Sequence, residues 1–335
     1  MSLNTFWRGT AAAAFVAAAT LVAPTAAFSA EKVTFLVSWL PGGDEALAYV
    51  AAQKGLFAAE GLDVTIMSAR GSSDVVTKLA SGVADIGEGG LAGLLQARAK
   101  SDVPVKAVMS IFTKQPDSIF TTEGSGIKSL QDLVGKQVAT ATFTSSNVVW
   151  PLILKKNGID PDKITLTKVD PGALAPMLAT GKADATINWS TVAPLFDKAL
   201  SESSKKLVIL PWSKYGFEGY GLSIFASDKT IKERPEVLRK FLKAYVEAAE
   251  MAAKDPKIAA TSIKAMVPEL NADVAEQQFA ATLPLTFNEI SKKDGLGHFD
   301  NALLAKTWEW TAKSQNLPLD KIDPENAVDR SFYPQ

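Results

Sequence analysis

The 335-residue chain has no cysteine and a single histidine, His298. The first absence excludes disulfides, thiolate catalysis, cysteine-ligated metals and a lipid-modified cysteine at a secretion site. The second excludes a histidine-rich metal site and makes any Ser-His-Asp triad depend on His298. A charge excess is missing as well: 35 basic and 36 acidic residues give a net charge of −1. With no basic stripe carrying interleaved aromatics, nothing points to nucleic acid. The Gly-Gly pairs at 42–43 and 89–90 lack the Gly-Lys-Ser/Thr ending of a phosphate loop. Ser-x-x-Lys occurs at 125–128 and 203–206 without the companion motifs of penicillin-interacting enzymes. No cofactor and no metal site is expected.

What is present is ordinary globular composition, 47% hydrophobic and 21% charged, with length enough for two domains. Arg8 precedes an unbroken run of apolar and small residues at 11–22, ending near Pro24. That is the layout of a signal peptide over residues 1–30, cut after Ala27 or Ala30, so that the mature, periplasmic chain begins near Glu31. No later segment is apolar enough to cross a bilayer.

Downstream, short apolar runs alternate with helical patterns. Residues 33–37, 64–67, 84–87, 105–111 and 221–226 read as strands, and 44–57 as a helix with Leu47, Val50 and Ala51 on one side. Such alternation predicts βαβ units and a mainly parallel sheet. A repeat sharpens this: Leu79-Ala80-Ser81-Gly82-Val83-Ala84-Asp85 returns as Leu178-Ala179-Thr180-Gly181-Lys182-Ala183-Asp184. Upstream, Gly61-Leu62-Asp63 before Val64 matches Gly158-Ile159-Asp160 before Ile164. In both copies a helix is expected to end on a left-handed glycine before Ala-Asp enters a strand. The fold expected is therefore α/β, with two lobes and a hinge between them. Lobe 1 takes residues 31–115 plus 221–335, lobe 2 residues 116–220. Helical patterns at 229–254, 256–266, 272–283 and 299–314 are read as a tail returning to cover lobe 1.

One ordered set of motifs carries a family likeness. It consists of Trp39-Leu40-Pro41, Ala52-Gln53-Lys54-Gly55-Leu56-Phe57 running into Glu60-Gly61-Leu62-Asp63-Val64, and Ser81-Gly82 with Ala84-Asp85. Asp132-Leu133-Val134-Gly135-Lys136-Gln137-Val138 and Gly181 with Ala183-Asp184-Ala185 complete it. On these residues, across nearly all of 31–330, the chain resembles the type II solute-binding proteins of bacterial ABC importers. The group includes binders of nitrate, sulfonates, taurine and thiamine-pyrimidine precursors. The resemblance implies the type II periplasmic-binding-protein fold, a small molecule held in the interlobe cleft, an inner-membrane permease as partner, and a monomer. It leaves the ligand open. A fungal pyrimidine-synthesis enzyme of the same superfamily depends on histidine, iron and a cysteine-rich motif; this chain has no cysteine and one late histidine.

Ligands of open α/β sheets sit beyond the carboxyl ends of strands, where helix N-termini offer free N–H groups. That rule selects Trp39 and Pro41 after the first strand, and Gly71, Ser72 and Ser73 before a helix. It adds Glu88 and Gly89 after the 84–87 strand, Thr144, Ser145 and Asn147 before another helix, and Asn188 and Trp189 after 185–187. Glu218 and Tyr220 lie on the return crossing. Each has a plainer alternative: core for Trp39 and, more strongly, Phe112; helix capping for the serines; a surface ion pair for Glu88; a turn or cap for His298. The candidates include aromatic faces and acids, with Arg70 the nearest cation, which suits a nitrogen-bearing heteroaromatic such as a pyrimidine precursor. The alternatives are a sulfonate or carboxylate held by the serine-rich turns, or an enzyme on the same fold.

Overall fold

The computed structural model describes residues 1, 2 and 30–333. The leader read at 1–30 therefore lies outside the described residues, apart from Met1, Ser2 and Ala30. Among the described residues no helix is long and apolar enough to cross a membrane.

The strands are β1 (Glu31–Val37), β2 (Leu62–Ser68), β3 (Ile86–Gly90), β4 (Val105–Ser110), β5 (Asp117–Thr122), β6 (Gln137–Ala141), β7 (Thr165–Val169), β8 (Ala185–Trp189), β9 (Leu207–Pro211) and β10 (Leu222–Ser227). They form two five-stranded sheets, β2-β1-β3-β10-β4 and β7-β6-β8-β5-β9. The two orders are the same plan read twice, as the repeated heptapeptide implied.

The repeat works as expected at atomic level. Gly82 and Gly181 both take φ of +74°, where a side chain would be strained. The aspartate that follows then ties the strand to its neighbour. Asp85 accepts the Thr34 N–H at 2.8 Å, and Asp184 accepts the Gln137 N–H at 2.8 Å.

Each sheet is mixed. β1 pairs in parallel with β2 and β3, and β6 with β7 and β8. β10 is antiparallel to β3 and β4, and β5 to β8 and β9. The mainly parallel pattern is thus interrupted once per sheet, by the strand that arrives directly from the other lobe. The two crossings run side by side: the Phe112 N–H donates to the Leu222 carbonyl and the Gly221 N–H to the Phe112 carbonyl, both at 2.9 Å.

The helix expected at 44–57 is broken into a 3-10 turn Gly43–Glu45 and helices Leu47–Gln53 and Leu56–Ala59, because Gly55 turns left-handed between them. The helix at 229–254 is cut into Asp228–Glu233 and Pro235–Lys254, since Pro235 can start a helix but not continue one. Helix Pro235–Lys254 does cover lobe 1: Phe241 and Tyr245 lie 4.9 and 6.1 Å from the Phe35 ring. Helix Asn301–Ser314 does more than cover it. Trp308 enters a lobe 1 core cluster and Trp310 a cluster of lobe 2. Just beyond, Gln315 donates to the Val148 carbonyl at 2.7 Å. The tail therefore braces both lobes.

Candidate functional site

The carboxyl ends of β1, β2, β6 and β8 converge on one cavity, as the strand-end rule requires. Its walls are Ser38, Trp39, Asp44, Glu45, Gly71 and Ser72 from lobe 1, and Thr144, Ile187, Asn188, Trp189 and Val192 from lobe 2. It holds about 390 Å³ of space free of protein atoms, part of it open to solvent. Only about 20 Å³ of that space admits the centre of a water-sized sphere, so with the lobes shut the cavity is nearly closed down.

The lobes are shut on it. The Ser73 N–H donates across the cleft to the Phe143 carbonyl at 3.0 Å. Thr191 donates to Asp44 Oδ2 at 2.9 Å. A Cβ on Gly71 would stand 2.5 Å from the Phe143 carbonyl group. The two indoles cross over: Trp39 packs on the lobe 2 cluster of Phe120, Leu174 and Phe196, and Trp189 on the lobe 1 cluster, with its ring 6.0 Å from Phe112.

The electrostatics are acidic and dry. Glu45 accepts the Ser38 N–H and the Ser38 hydroxyl, each at 3.0 Å. Behind it Glu88 accepts the Tyr245 hydroxyl at 2.6 Å. Burial, and then the facing Glu88 carboxyl, push Glu45 well above the usual carboxylate range; burial raises Glu88 too. Asp44 is pushed up to about 7, by burial first and then by the Glu45 charge. Three buried polar atoms on the cavity residues have no protein partner: Asp44 Oδ1, Asn188 Oδ1 and Trp189 Nε1. Asp44 Oδ1 and Asn188 Oδ1 are left for a ligand, while the Trp189 indole N–H lies toward the buried Asp117 carboxyl. Neither Lys, Arg nor His lines the cavity; Arg70 instead lies over the Phe143 ring at 4.9 Å.

Asp44 carries a stability consequence. The unfolded chain gives up this proton near the ordinary 3.8, whereas the folded chain keeps it to about 7. Between those values the unfolded state binds fewer protons, so Asp44 lowers stability as pH rises, by about 1.4 kcal/mol per pH unit at most. Urea unfolding of the wild type and Asp44→Asn at pH 5 and pH 7 is expected to show the wild type losing more stability than the variant on going to pH 7. Equal losses would place Asp44 in an environment unlike the one described.

Of the residues selected from sequence, Trp39, Gly71, Ser72, Thr144, Asn188 and Trp189 meet at the cavity. Pro41 lines an adjoining one. Ser72 is no cap: its Oγ accepts the Gly90 N–H at 2.8 Å, tying β3 to the helix that Ser72 begins. Gly89 lets that helix approach, since its Cβ would stand 3.2 Å from the Ser72 Cβ. Glu88 lies inside β3 rather than in a loop after it, one layer behind the cavity. Phe112 supports Trp189 from the core. Ser145 is buried against Gly90 across the cleft. Asn147 is spent on its own turn, donating to the Ala141 carbonyl at 2.7 Å and accepting from Thr140 at 2.9 Å.

The return crossing lies elsewhere. Tyr220 is fully buried, its hydroxyl accepting the Asp300 N–H at 2.6 Å and its N–H donating to Thr307 at 2.8 Å. Glu218 faces solvent beside Glu289 and Lys293. His298 packs on Tyr333 with the rings tilted by 51° and their centroids 4.0 Å apart. The cavity residues not selected from sequence are Ser38, Asp44, Glu45, Ile187 and Val192. Asp44 and Glu45 look like ordinary first-turn acids answering a helix dipole; the Gly-Gly before them was the available sign of close packing. The Cβ that Gly43 lacks would stand 1.7 Å from the Ala275 carbonyl oxygen.

Comparison with known proteins places this geometry. The riboflavin-binding protein RibY of Chloroflexus aurantiacus is 27% identical over 320 residues, covering 93% of this chain and 89% of that protein. The formylaminopyrimidine-binding protein of Halalkalibacterium halodurans is 24% identical over 281 residues, 83% of each chain. A 4-amino-5-hydroxymethyl-2-methylpyrimidine phosphate synthase of Saccharomyces cerevisiae is 28% identical over 260 residues, 75% of this chain and 76% of the enzyme. Among solved structures, the alkanesulfonate-binding protein SsuA of Xanthomonas axonopodis pv. citri, bound to MOPS, shares the fold. It has a TM-score of 0.71 at 17% identity, covering 90% of this chain and 98% of that one. The NMT1/THI5 like family model matches residues 44–259, from the buried aspartate of the cavity into the helices of the tail, and the chain belongs to that family.

Proposed function

We propose that this chain is the periplasmic substrate-binding component of an ABC-type importer, and that it captures a small nitrogen-bearing heteroaromatic of the aminopyrimidine kind between its lobes. The observation that carries the reading is the cavity wall: two indoles, two carboxyls and an asparagine, with no cationic side chain. A sulfonate or carboxylate would be buried at this wall with no cation to balance its charge. An aminopyrimidine suits every feature. Its exocyclic amino group can donate to Asn188 Oδ1, a ring nitrogen can accept a hydrogen bond from a neutral carboxyl, and its flat face can lie on an indole. The names of the curated relatives that bind riboflavin and formylaminopyrimidine support a nitrogen heterocycle.

The enzymatic reading, raised by the yeast relative, has less behind it. The cavity holds no histidine, and the lone His298 packs against Tyr333 near the far end of the chain. We assign residues 31–115 and 221–335 to one lobe and 116–220 to the other, moving about the paired crossings at Phe112 and Gly221.

Calorimetric titration with 4-amino-5-hydroxymethyl-2-methylpyrimidine, riboflavin and ethanesulfonate tests the reading. The pyrimidine is expected to bind, to raise the melting temperature and to be recovered unchanged by mass spectrometry. Binding of the sulfonate alone overturns the ligand class, and a converted pyrimidine overturns the non-enzymatic role. Closure has its own test: the radius of gyration from solution scattering is expected to fall at saturating pyrimidine. An unchanged radius on verified binding would mean a cleft that is shut beforehand.

A further inference from the structure

A second cavity opens off the first. The two share Trp39, Asp44, Asn188 and Val192, and the second continues between the lobes. It holds about 430 Å³ of space free of protein atoms, part of it open to solvent. Past the shared residues its walls change character. Leu40 and Pro41 from lobe 1, and Pro171, Ala175, Leu195 and Phe196 from lobe 2, contribute only apolar side chains. The one polar addition is Gln278, whose Oε1 already accepts the Gly43 N–H at 3.0 Å. No Lys, Arg or His is present. Leu40 and Leu195 are 39% and 43% exposed, placing large apolar side chains on the wall of a channel whose inner end is polar.

We propose that this annex is a second subsite of the same binding site, and that the physiological ligand is a heteroaromatic head carrying an uncharged, apolar substituent of about one ring in size. The inference rests on the reading that the inner cavity takes the head. Trp39 and Asp44 stand at the junction, so the head held by Asp44 and Asn188 directs one edge into the annex. A phosphorylated substituent is disfavoured there: its charge would face Asp44 and apolar walls with no cation in reach. A bare ring would leave the annex to water against apolar walls, and filling it with an apolar group adds affinity in proportion to the area buried.

The test uses the full mature chain and four probes: 4-amino-5-hydroxymethyl-2-methylpyrimidine, its benzyl ether, its phosphate monoester, and benzyl alcohol alone. By calorimetry the ether is expected to bind about tenfold or more tighter than the parent pyrimidine, and the phosphate ester more weakly than the parent. In Ala175→Trp, which fills the annex, the ratio of ether to parent affinity is expected to collapse to about one. Leu195→Asp, a change at an exposed position, is expected to lower the same ratio and serves if A175W does not fold. An ether no tighter than its parent, or an advantage that survives both variants, overturns the proposal while leaving the head reading intact. If neither pyrimidine binds, benzyl alcohol decides: methyl NMR shifts at Ala175 and Leu195 that A175W removes keep the annex and sink the head reading, and their absence sinks the annex.

Discussion

Gly90→Val is expected to abolish capture of the pyrimidine, a loss of about 100-fold or more (~2.7 kcal/mol), while the chain stays folded. Gly90 closes β3 with φ of −68°, an ordinary backbone that any residue adopts, so a side chain there adds no strain of its own. What it meets is the other lobe. A Cβ at 90 would stand 2.1 Å from Ser145 Oγ, 2.7 Å from Ser145 Cβ and 3.2 Å from the Trp189 ring. The hydroxyl can rotate away, but the Ser145 Cβ cannot, so relief comes from parting the lobes. Titration calorimetry should show the lost affinity, and a melt without ligand should stay within a few degrees of wild type. A collapsed melting temperature would make Gly90 a folding glycine. Retained affinity would mean that the shut cleft is not the state that binds. Gly71 is a poorer choice for the experiment, because its φ of +136° would strain any substitute whatever the lobes do.

Asp44→Ala should be nearly as damaging, and by a separable route. One carboxylate oxygen, Oδ2, accepts the Thr191 hydroxyl across the cleft, and the other is unpartnered at the cavity. Removing the side chain deletes a carboxyl hydrogen bond to the ligand, about 1.5–3 kcal/mol, and an interlobe bond of about 1 kcal/mol. Together these amount to roughly 100-fold in affinity. Thr191→Ala loses the interlobe bond alone and should cost only about fivefold. Equal losses in the two variants would make Asp44 a closure residue with no part in recognising the ligand.

The repeat was the most legible part of the chain because its signals are local. A left-handed glycine and an aspartate that ties off a strand need only their own few residues, and Gly82–Asp85 and Gly181–Asp184 behave alike. Strand ends were legible for the same reason, which is why Trp39, Gly71, Thr144, Asn188 and Trp189 fall together. What escaped depends on partners far away in sequence. Asp44 and Glu45 acquire their character from Thr191, Ser38 and Glu88. Tyr220 is drawn from the cleft by Asp300 and Thr307. The bracing role of the last long helix rests on Trp310 and Gln315 reaching lobe 2, which no helical periodicity announces.

The crossed indoles make the chain its own optical reporter. Trp150 and Trp212 are buried within a lobe 2 core, and their emission should be insensitive to the state of the cleft. Trp39 and Trp189 are housed by the opposite lobe, so parting the lobes would return both to water. Ligand capture should then shift the fluorescence of the unlabelled protein to the blue. The difference between the spectra of Trp39→Phe and Trp189→Phe would tell how much of that shift each indole carries.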